Sequence, residues 1–494
     1  MSWFQILGNL LDPSVFIYLV MGVITGMITG SLPGLTATMS VAIITPLTLW
    51  LSPEQGFAML IGVFNSAIWA GGISAILLNT PGTPASIATT FDGYPLVKMG
   101  KGKLALGINV VYSVIGGLFG TVVLMTLAWP LSKFALKFGP PEYFTLAIFG
   151  ISIMVSVSEK SMVKGLMVGF LGLLLSTIGL DPMRATPRFT FGNVNLMVGI
   201  SFIPALIGLF GIGEILYQVY NKDKTKKTIV EDNNSKESGR LLVNFAEFVR
   251  LIPVTIVSSI ISVVVGAIPG AGGDIASIIC WDRAKKMSNK PEEFEHGSIE
   301  GLAATCVSNN AVLGGAMTTT MTLGIPGDSV NAVLIGSFMM YGVQPGPRMF
   351  IEHIDFVKST MLLMFLAYLL ILVFGLIFAQ ISSNVLKLKQ EYIWTTVTLL
   401  CIVGSYSLNN AYLDVWIMFI AGILGFIFKM TDYPLGPLIL GLLLGGLAES
   451  NLARSLSLSG GDMSVFFTRP ISLGLILITT LSLVVPLIRK WREN

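Results

Sequence analysis

Fifteen apolar runs follow one another along this 494-residue chain, at about 14–30, 35–51, 56–79, 104–130, 142–157, 161–180, 194–220, 249–268, 271–281, 298–325, 356–381, 391–404, 411–429, 434–448 and 471–488. Several approach the roughly 20 residues that a helix needs to cross the hydrocarbon of a bilayer. Charged residues make up 12% of the chain, against about 25% in a soluble domain. That is too little charge to cover a water-facing surface of this size. A cytoplasmic enzyme, a nucleic-acid binder and a disordered scaffold are excluded. The chain reads as an all-α polytopic membrane protein.

The scarcer residues narrow the chemistry. Thirty Lys and Arg against 27 Asp and Glu leave a net +3, too balanced for a polyanionic partner. Cys280, Cys306 and Cys401 lie in apolar stretches without a CxxC spacing, and His296 and His353 lie in polar loops. Neither a disulfide framework nor a His-rich metal site is expected, and no cofactor. No GxxxxGK[ST] run occurs, so the chain carries no nucleotide motor of its own. Residues 1–13 hold no Lys or Arg and do not read as a cleavable signal peptide.

The one soluble-looking stretch, Asn221 to Arg250, reads as a loop joining two similar halves. Gly30-Ser-Leu-Pro33-Gly34 matches Gly266-Ala-Ile-Pro269-Gly270 at an offset of 236. Asn65 with Pro81-Gly82 matches Asn310 with Pro326-Gly327 at an offset of 245. Glu142-Tyr143 matches Glu391-Tyr392 at 249. Offsets that drift in one direction are what a duplication with small insertions produces. The halves become a first repeat over 1–220, a cytoplasmic linker over 221–250 and a second repeat over 251–454. Residues 455–494 add a C-terminal transmembrane helix and a cytoplasmic tail. If about 14–51 and 249–283 are re-entrant hairpins, each half keeps five further crossings, and the second repeat is inverted relative to the first. With the linker inside, 22 of the 30 Lys and Arg fall on the inner side, as the positive-inside rule asks.

Four stretches break the apolar runs: Leu32-Pro33-Gly34-Leu35-Thr36, Asn79-Thr80-Pro81-Gly82-Thr83-Pro84, Ile268-Pro269-Gly270-Ala271-Gly272-Gly273-Asp274 and Gly324-Ile325-Pro326-Gly327-Asp328-Ser329. Proline removes a donor, and glycine lets the backbone turn and approach a ligand. In lipid, such breaks survive only inside protein or beside a water-filled cavity. A helix restarting after each break offers free N–H groups and a positive dipole end, which suit a carboxylate. A single Pro-Gly in an apolar helix is most often a kink. Four in matched pairs point to a transporter's central site.

The expected substrate ligands are Thr36, Thr38, Asn79, Thr80, Gly82 and Thr83 from the first half. Gly270, Gly272, Gly273, Asn310, Gly327 and Ser329 come from the second. No Lys or Arg lies between Met1 and Leu96 or between Leu251 and Asp282, and Arg348 stands nineteen residues beyond Ser329. Backbone amides and hydroxyls, rather than a buried arginine, should therefore hold the substrate. Asp274 and Asp328 are the candidates for a coupling cation, since intramembrane carboxylates default to function; helix capping is the alternative for both. Asn65, Asn309 and Asn310 could bond substrate or glue helices together. Glu54, Asp92, Glu142 and Glu292 to Glu295, near expected helix ends, read as interfacial.

Gly30-Ser-Leu-Pro-Gly-Leu-Thr-Ala-Thr, Leu78-Asn-Thr-Pro-Gly-Thr-Pro-Ala-Ser, Phe91-Asp-Gly-Tyr-Pro, Gly266-Ala-Ile-Pro-Gly-Ala-Gly-Gly-Asp and Gly324-Ile-Pro-Gly-Asp together resemble the TctA family, over nearly the whole chain. That family is the large membrane subunit of the bacterial tripartite tricarboxylate transporters. The resemblance implies uptake of a citrate-like or other carboxylate across the inner membrane, driven by a Na+ or H+ gradient. It also implies a periplasmic solute-binding protein (TctC-like) and a small four-helix membrane subunit (TctB-like), and leaves room for a homodimer. The inverted repeats suggest elevator-like movement of a block carrying the hairpins. Two other classes stay open: a carboxylate channel, and a membrane-embedded aspartyl enzyme using Asp274 and Asp328. The second lacks the GxGD signature, since the chain reads Ala271-Gly-Gly-Asp274 and Ile325-Pro-Gly-Asp328. No enzyme activity is expected.

Overall fold

Lipid leaves a backbone with no partner but itself, and the chain answers with helices almost throughout. The structure is a computed structural model that describes residues 1–156, 162–181, 185–221, 240–385 and 390–493. Most of the expected linker, residues 222–239, lies outside the described residues, as do Lys160, Arg184, Lys387 and Lys389. Among the described residues the only sheet is an antiparallel pairing of Gly179–Leu180 with Pro187–Arg188.

The first half runs α1 (Trp3–Leu10), α2 (Pro13–Ser31), α3 (Ala37–Leu47), α4 (Pro53–Leu78), α5 (Thr89–Lys98), α6 (Gly102–Ala135), α7 (Pro140–Ser156), α8 (Met162–Ser176) and α9 (Phe202–Tyr220). The second runs α10 (Phe245–Gly266), α11 (Gly272–Met287), α12 (Ile299–Leu323), α13 (Ser329–Met340), α14 (Ile354–Val385), α15 (Gln390–Asn409), α16 (Tyr412–Met430), α17 (Leu435–Leu458) and α18 (Pro470–Glu493). The expected boundary at 454 thus falls inside α17. Local chemistry sets the starts: Ser52 with Gln55, and Asn244 with Glu247, form reciprocal caps ahead of α4 and α10.

Among the described residues, eight helices are long and apolar enough to cross a membrane: α2, α4, α6, α9, α10, α14, α16 and α17. Of these, α4 has 94% of its apolar stretch buried, where the others have 28% to 61%. It is therefore the core of the bundle. Its counterpart α12 is buried without interruption from Glu300 to Thr322 but carries too many Thr and Asn to join the eight.

Small residues bring these helices together. A side chain at Gly22 or Gly30 of α2 would meet the carbonyl oxygens of Met59 and Ala67 on α4 at 2.2 Å, so only glycine admits the contact. The same contact recurs in the second half, where a side chain at Gly266 of α10 would meet the Val312 oxygen of α12 at 2.3 Å. Gly30 and Gly266 are the pair at offset 236, and Ala67 and Val312 stand at offset 245. Helix lengths recur too: 19, 26 and 34 residues for α2, α4 and α6 against 22, 25 and 32 for α10, α12 and α14.

The helices pack in groups. One joins α1, α2, α4, α5, α6, α10, α11, α12 and α14; a second joins α7, α8, α17 and α18; a third joins α9, α15 and α16. Between them lie α3 and α13, which touch each other and also reach α9, α15 and α17. Helix α3 follows the first break and α13 follows the fourth. The first and fourth broken segments therefore sit where the groups meet, while the second and third lie within the first group.

Candidate functional site

All four predicted breaks interrupt helices, and a chain of close contacts joins them. A side chain at Gly82 in the second break would come within 2.7 Å of the Gly30 oxygen, one turn before the first break. Beyond the second break, Ala85 lies against Gly273, where a side chain would approach it to 2.6 Å. In the third break the Gly270 N–H donates to the Gly327 oxygen of the fourth at 2.8 Å. Helices α3 and α13 close the ring, with the Thr45 and Ser337 hydroxyls 2.9 Å apart. Gly270 and Gly272 hold φ of 79° and 64°, a left-handed turn that glycine adopts without strain.

The predicted ligands divide according to what already occupies them. Thr36 caps α3, its hydroxyl accepting from the Met39 N–H at 3.2 Å. Asn79 ends α4 at φ 55°, and the Thr80 hydroxyl donates to the Leu78 oxygen. Thr83 is tied to Ser86, whose hydroxyl accepts from the Thr83 N–H at 3.2 Å. The hydroxyls of Thr38 and Ser329, each in the first turn of a helix after a break, have no protein partner among the described residues. Ahead of α11, which starts at Gly272, Ala271 has no polar side chain to cap the helix, unlike Thr36 and Asp328 ahead of α3 and α13. Asp274 lies in the first turn of α11, its carboxylate close to Gly272.

One placement differs from expectation. Asn310 is fully buried on the face of α12 that meets α6 and α14, away from the breaks. Its backbone oxygen accepts from the Tyr368 hydroxyl, and both atoms of its amide lack partners. Four residues on, Gly314 packs against Gly120 of α6; helical periodicity turns Asn310 the same way. Asn65 and Asn309 likewise bond between helices, to the Met364 oxygen at 3.1 Å and the Thr89 hydroxyl at 3.3 Å. Asp92 and Glu142 lie in the first turns of α5 and α7, at helix ends as expected, and are buried in the protein. Asp92 accepts from the Trp281 indole at 2.7 Å and from the Ser298 N–H at 2.9 Å, and Glu142 pairs with Arg469.

Asp328 caps α13, accepting from the Asn331 N–H at 2.8 Å and its side-chain amide at 2.9 Å. The Val330 N–H also bonds this carboxylate. Among the described residues no cluster of three or more His, Cys, Asp or Glu could hold a metal.

Some site residues gave no sequence signal. Gln218 on α9 donates to the Gly34 oxygen of the first break and accepts from the Trp394 indole at 2.8 Å. The same amide donates to Glu214 at 3.0 Å, and Glu214 pairs with Lys429 of α16. Arg348 is not remote from the fourth break, as its separation of nineteen residues from Ser329 suggested. Loop 341–348 folds back, the Gly346 N–H donates to the Met321 oxygen at 3.0 Å, and Arg348 lines the same cavity as Gly324. Arg188 is occupied by Glu449 and Asp181.

Comparison with known proteins agrees with this architecture. The sequence model of the tripartite tricarboxylate transporter TctA family matches residues 16–440. An Agrobacterium vitis protein described as "Uncharacterized 52.8 kDa protein in TAR-I ttuC' 3'region" is 32% identical over 489 residues, covering 98% of this chain and 95% of that one. A second from the same organism, "Uncharacterized protein in TAR-II ttuC' 3'region", is 32% identical over 232 residues, 46% of this chain and 96% of its own. No solved structure matches the chain. With a family match across most of its length and eight helices fit to span a bilayer, the chain is a multi-pass membrane protein that belongs to the TctA family of tripartite tricarboxylate transporters.

Proposed function

We propose that the protein is the large permease subunit of a binding-protein-dependent carrier that takes up a di- or tricarboxylate such as citrate across the inner membrane, driven by a Na+ or H+ gradient. A periplasmic solute-binding protein delivers the substrate, and a small membrane subunit completes the carrier. The observation that carries this reading is the meeting of four broken helices. Two hydroxyls without a protein partner among the described residues, Thr38 and Ser329, stand at the starts of α3 and α13, and α11 starts at the glycines of the third break. N–H groups at a helix start favour an anion without any arginine. A cation at Asp274 or Asp328 adds a whole positive charge and couples uptake to the ion gradient.

The recurrence of the Gly30–Ala67 contact as Gly266–Val312 supports two repeats of one unit, and the basic-residue balance supports their inversion. Movement of the group holding α2, α4, α10 and α12 past the other two would alternate access to the breaks, with α3 and α13 at the sliding face. The test is to reconstitute all three components in proteoliposomes and measure labelled citrate uptake under a Na+ or an H+ gradient imposed separately. Accumulation above equilibrium that stops when the gradient is dissipated is the expected result. Flux that only equilibrates the two sides would make the protein a channel and overturn the coupling.

A further inference from the structure

A cavity of about 720 Å³ opens beside the fourth break, within the roughly 300–1,000 Å³ usual for small-ligand sites. Leu323 and Gly324 end α12 in its wall, and Ile335 lies on α13, so both sides of the break face it. Loop 342–348 forms another wall and α17 the opposite one.

Two arginines line it, Arg348 from the loop and Arg454 from α17, and among the described residues neither has an ion-pair or hydrogen-bond partner for its side chain. By contrast Arg188, Arg240, Arg250 and Arg469 each hold a carboxylate. Glu352 is the single acid among the lining residues, which leaves the cavity a net positive charge. Guanidinium groups bind carboxylates through two parallel hydrogen bonds. Two of them without protein carboxylates, in a cavity this size, suit a ligand that brings two or more carboxylates of its own. Tyr143, Gln344 and Asn451 supply neutral donors around them.

The cavity is separated from the core by an apolar layer. Leu146 and Ile151 of α7, Ile325 of the fourth break and Leu440 and Leu444 of α17 form one buried cluster. Gly150 brings α7 so close that a side chain there would meet Ile325 at 3.1 Å and Leu444 at 3.2 Å. An anion at the arginines would therefore rest against the edge of the fourth break at Gly324, with the apolar layer around Ile325 between it and the rest of the break. On the basic-residue count Arg348 and Arg454 fall on the outer face.

We infer that this cavity is a second, outer carboxylate site, which receives a di- or tricarboxylate before the apolar layer opens to the breaks. The inference rests on the carboxylate-uptake reading for its ligand class, and its test stands apart from transport. The three cysteines are buried, so Ser450→Cys on the cavity wall gives a single reporter thiol. In the purified full chain, citrate should slow alkylation of that thiol by a charged maleimide, while sucrose should not. With Arg348→Gln and Arg454→Gln together, equal protection should need at least about tenfold more citrate, the loss of charge-assisted bonding. The Lys versions should recover part of it. Both arginines are exposed, and elution as a single species checks that the variants fold. No protection by citrate at any concentration, or protection that ignores the arginines, overturns the site. Protection that depends on the arginines, in a chain whose reconstituted carrier moves no carboxylate, keeps the site and removes the transport reading.

Discussion

A methyl group at Gly327 tests whether the meeting of the breaks is the working part of the protein. In Gly327→Ala the new carbon would stand 2.5 Å from the Ala316 side chain, 2.7 Å from the Ala316 Cα and 2.9 Å from the Gly266 oxygen. Carbon atoms rest at about 3.5–4.0 Å, so the fourth break must withdraw by about 1 Å. The obstacles are backbone and a Cβ, which cannot rotate aside. Overpacking of this kind costs about 1–3 kcal/mol. The same withdrawal would stretch the 2.8 Å Gly270–Gly327 hydrogen bond past its limit, at about 1 kcal/mol more. That sum is small beside the packing of a bundle this large, so the variant should insert and elute as one species. The cost falls on geometry. A 1 Å misplacement of a reacting or binding group commonly costs about 100-fold, and labelled-carboxylate uptake in proteoliposomes should fall by a factor between ten and that. Gly474→Ala is the matched control, because nothing lies within 4 Å of a side chain there. Uptake by Gly327→Ala at the wild-type rate would refute the idea that the breaks must meet this closely.

Three further outcomes follow from the same geometry. In the Glu214–Lys429 pair, Lys429→Met strands the Glu214 carboxylate, which is 10% exposed, and should destabilise by about 3–5 kcal/mol, as an abandoned buried charge does; Glu214→Gln leaves Lys429, which is 33% exposed, and should cost less. The double variant should recover most of that in thermal melts. Asp328→Asn preserves an acceptor for the Asn331 N–H and should melt within about 1 kcal/mol of wild type, yet its uptake should lose its dependence on the ion gradient. Thr38→Ala and Ser329→Ala remove hydroxyls that bond nothing in the protein; melting should hold, while the half-saturating substrate concentration rises about fivefold for each, the worth of one hydrogen bond near 1 kcal/mol.

What the sequence made legible was local. Pro-Gly with a following Thr, Ser or Asp ends one helix and starts another by chemistry within five residues. The four breaks could therefore be located: α4 stops at Leu78, one residue before Asn79, and α13 begins at the predicted Ser329. What stayed hidden depends on where the chain returns. Asn310 is polar and intramembrane like the true break residues, but which side of α12 it faces follows from where α6 and α14 pack. Arg348 is nineteen residues from Ser329, and only the fold-back of loop 341–348 brings it beside Gly324. The Gln218 bond to Gly34 joins residues 184 apart with no pattern to announce it.

The central claim is that a carboxylate sits where the four breaks meet, held by amides and hydroxyls. A structure of the reconstituted carrier with citrate bound measures this directly. Ligand density is expected within hydrogen-bond distance of the Thr38 and Ser329 hydroxyls and the N–H groups of Gly272 to Asp274, with no arginine in contact. Citrate seen only on Arg184, Arg188 or Arg348, with the breaks empty in both inward- and outward-facing states, would contradict it.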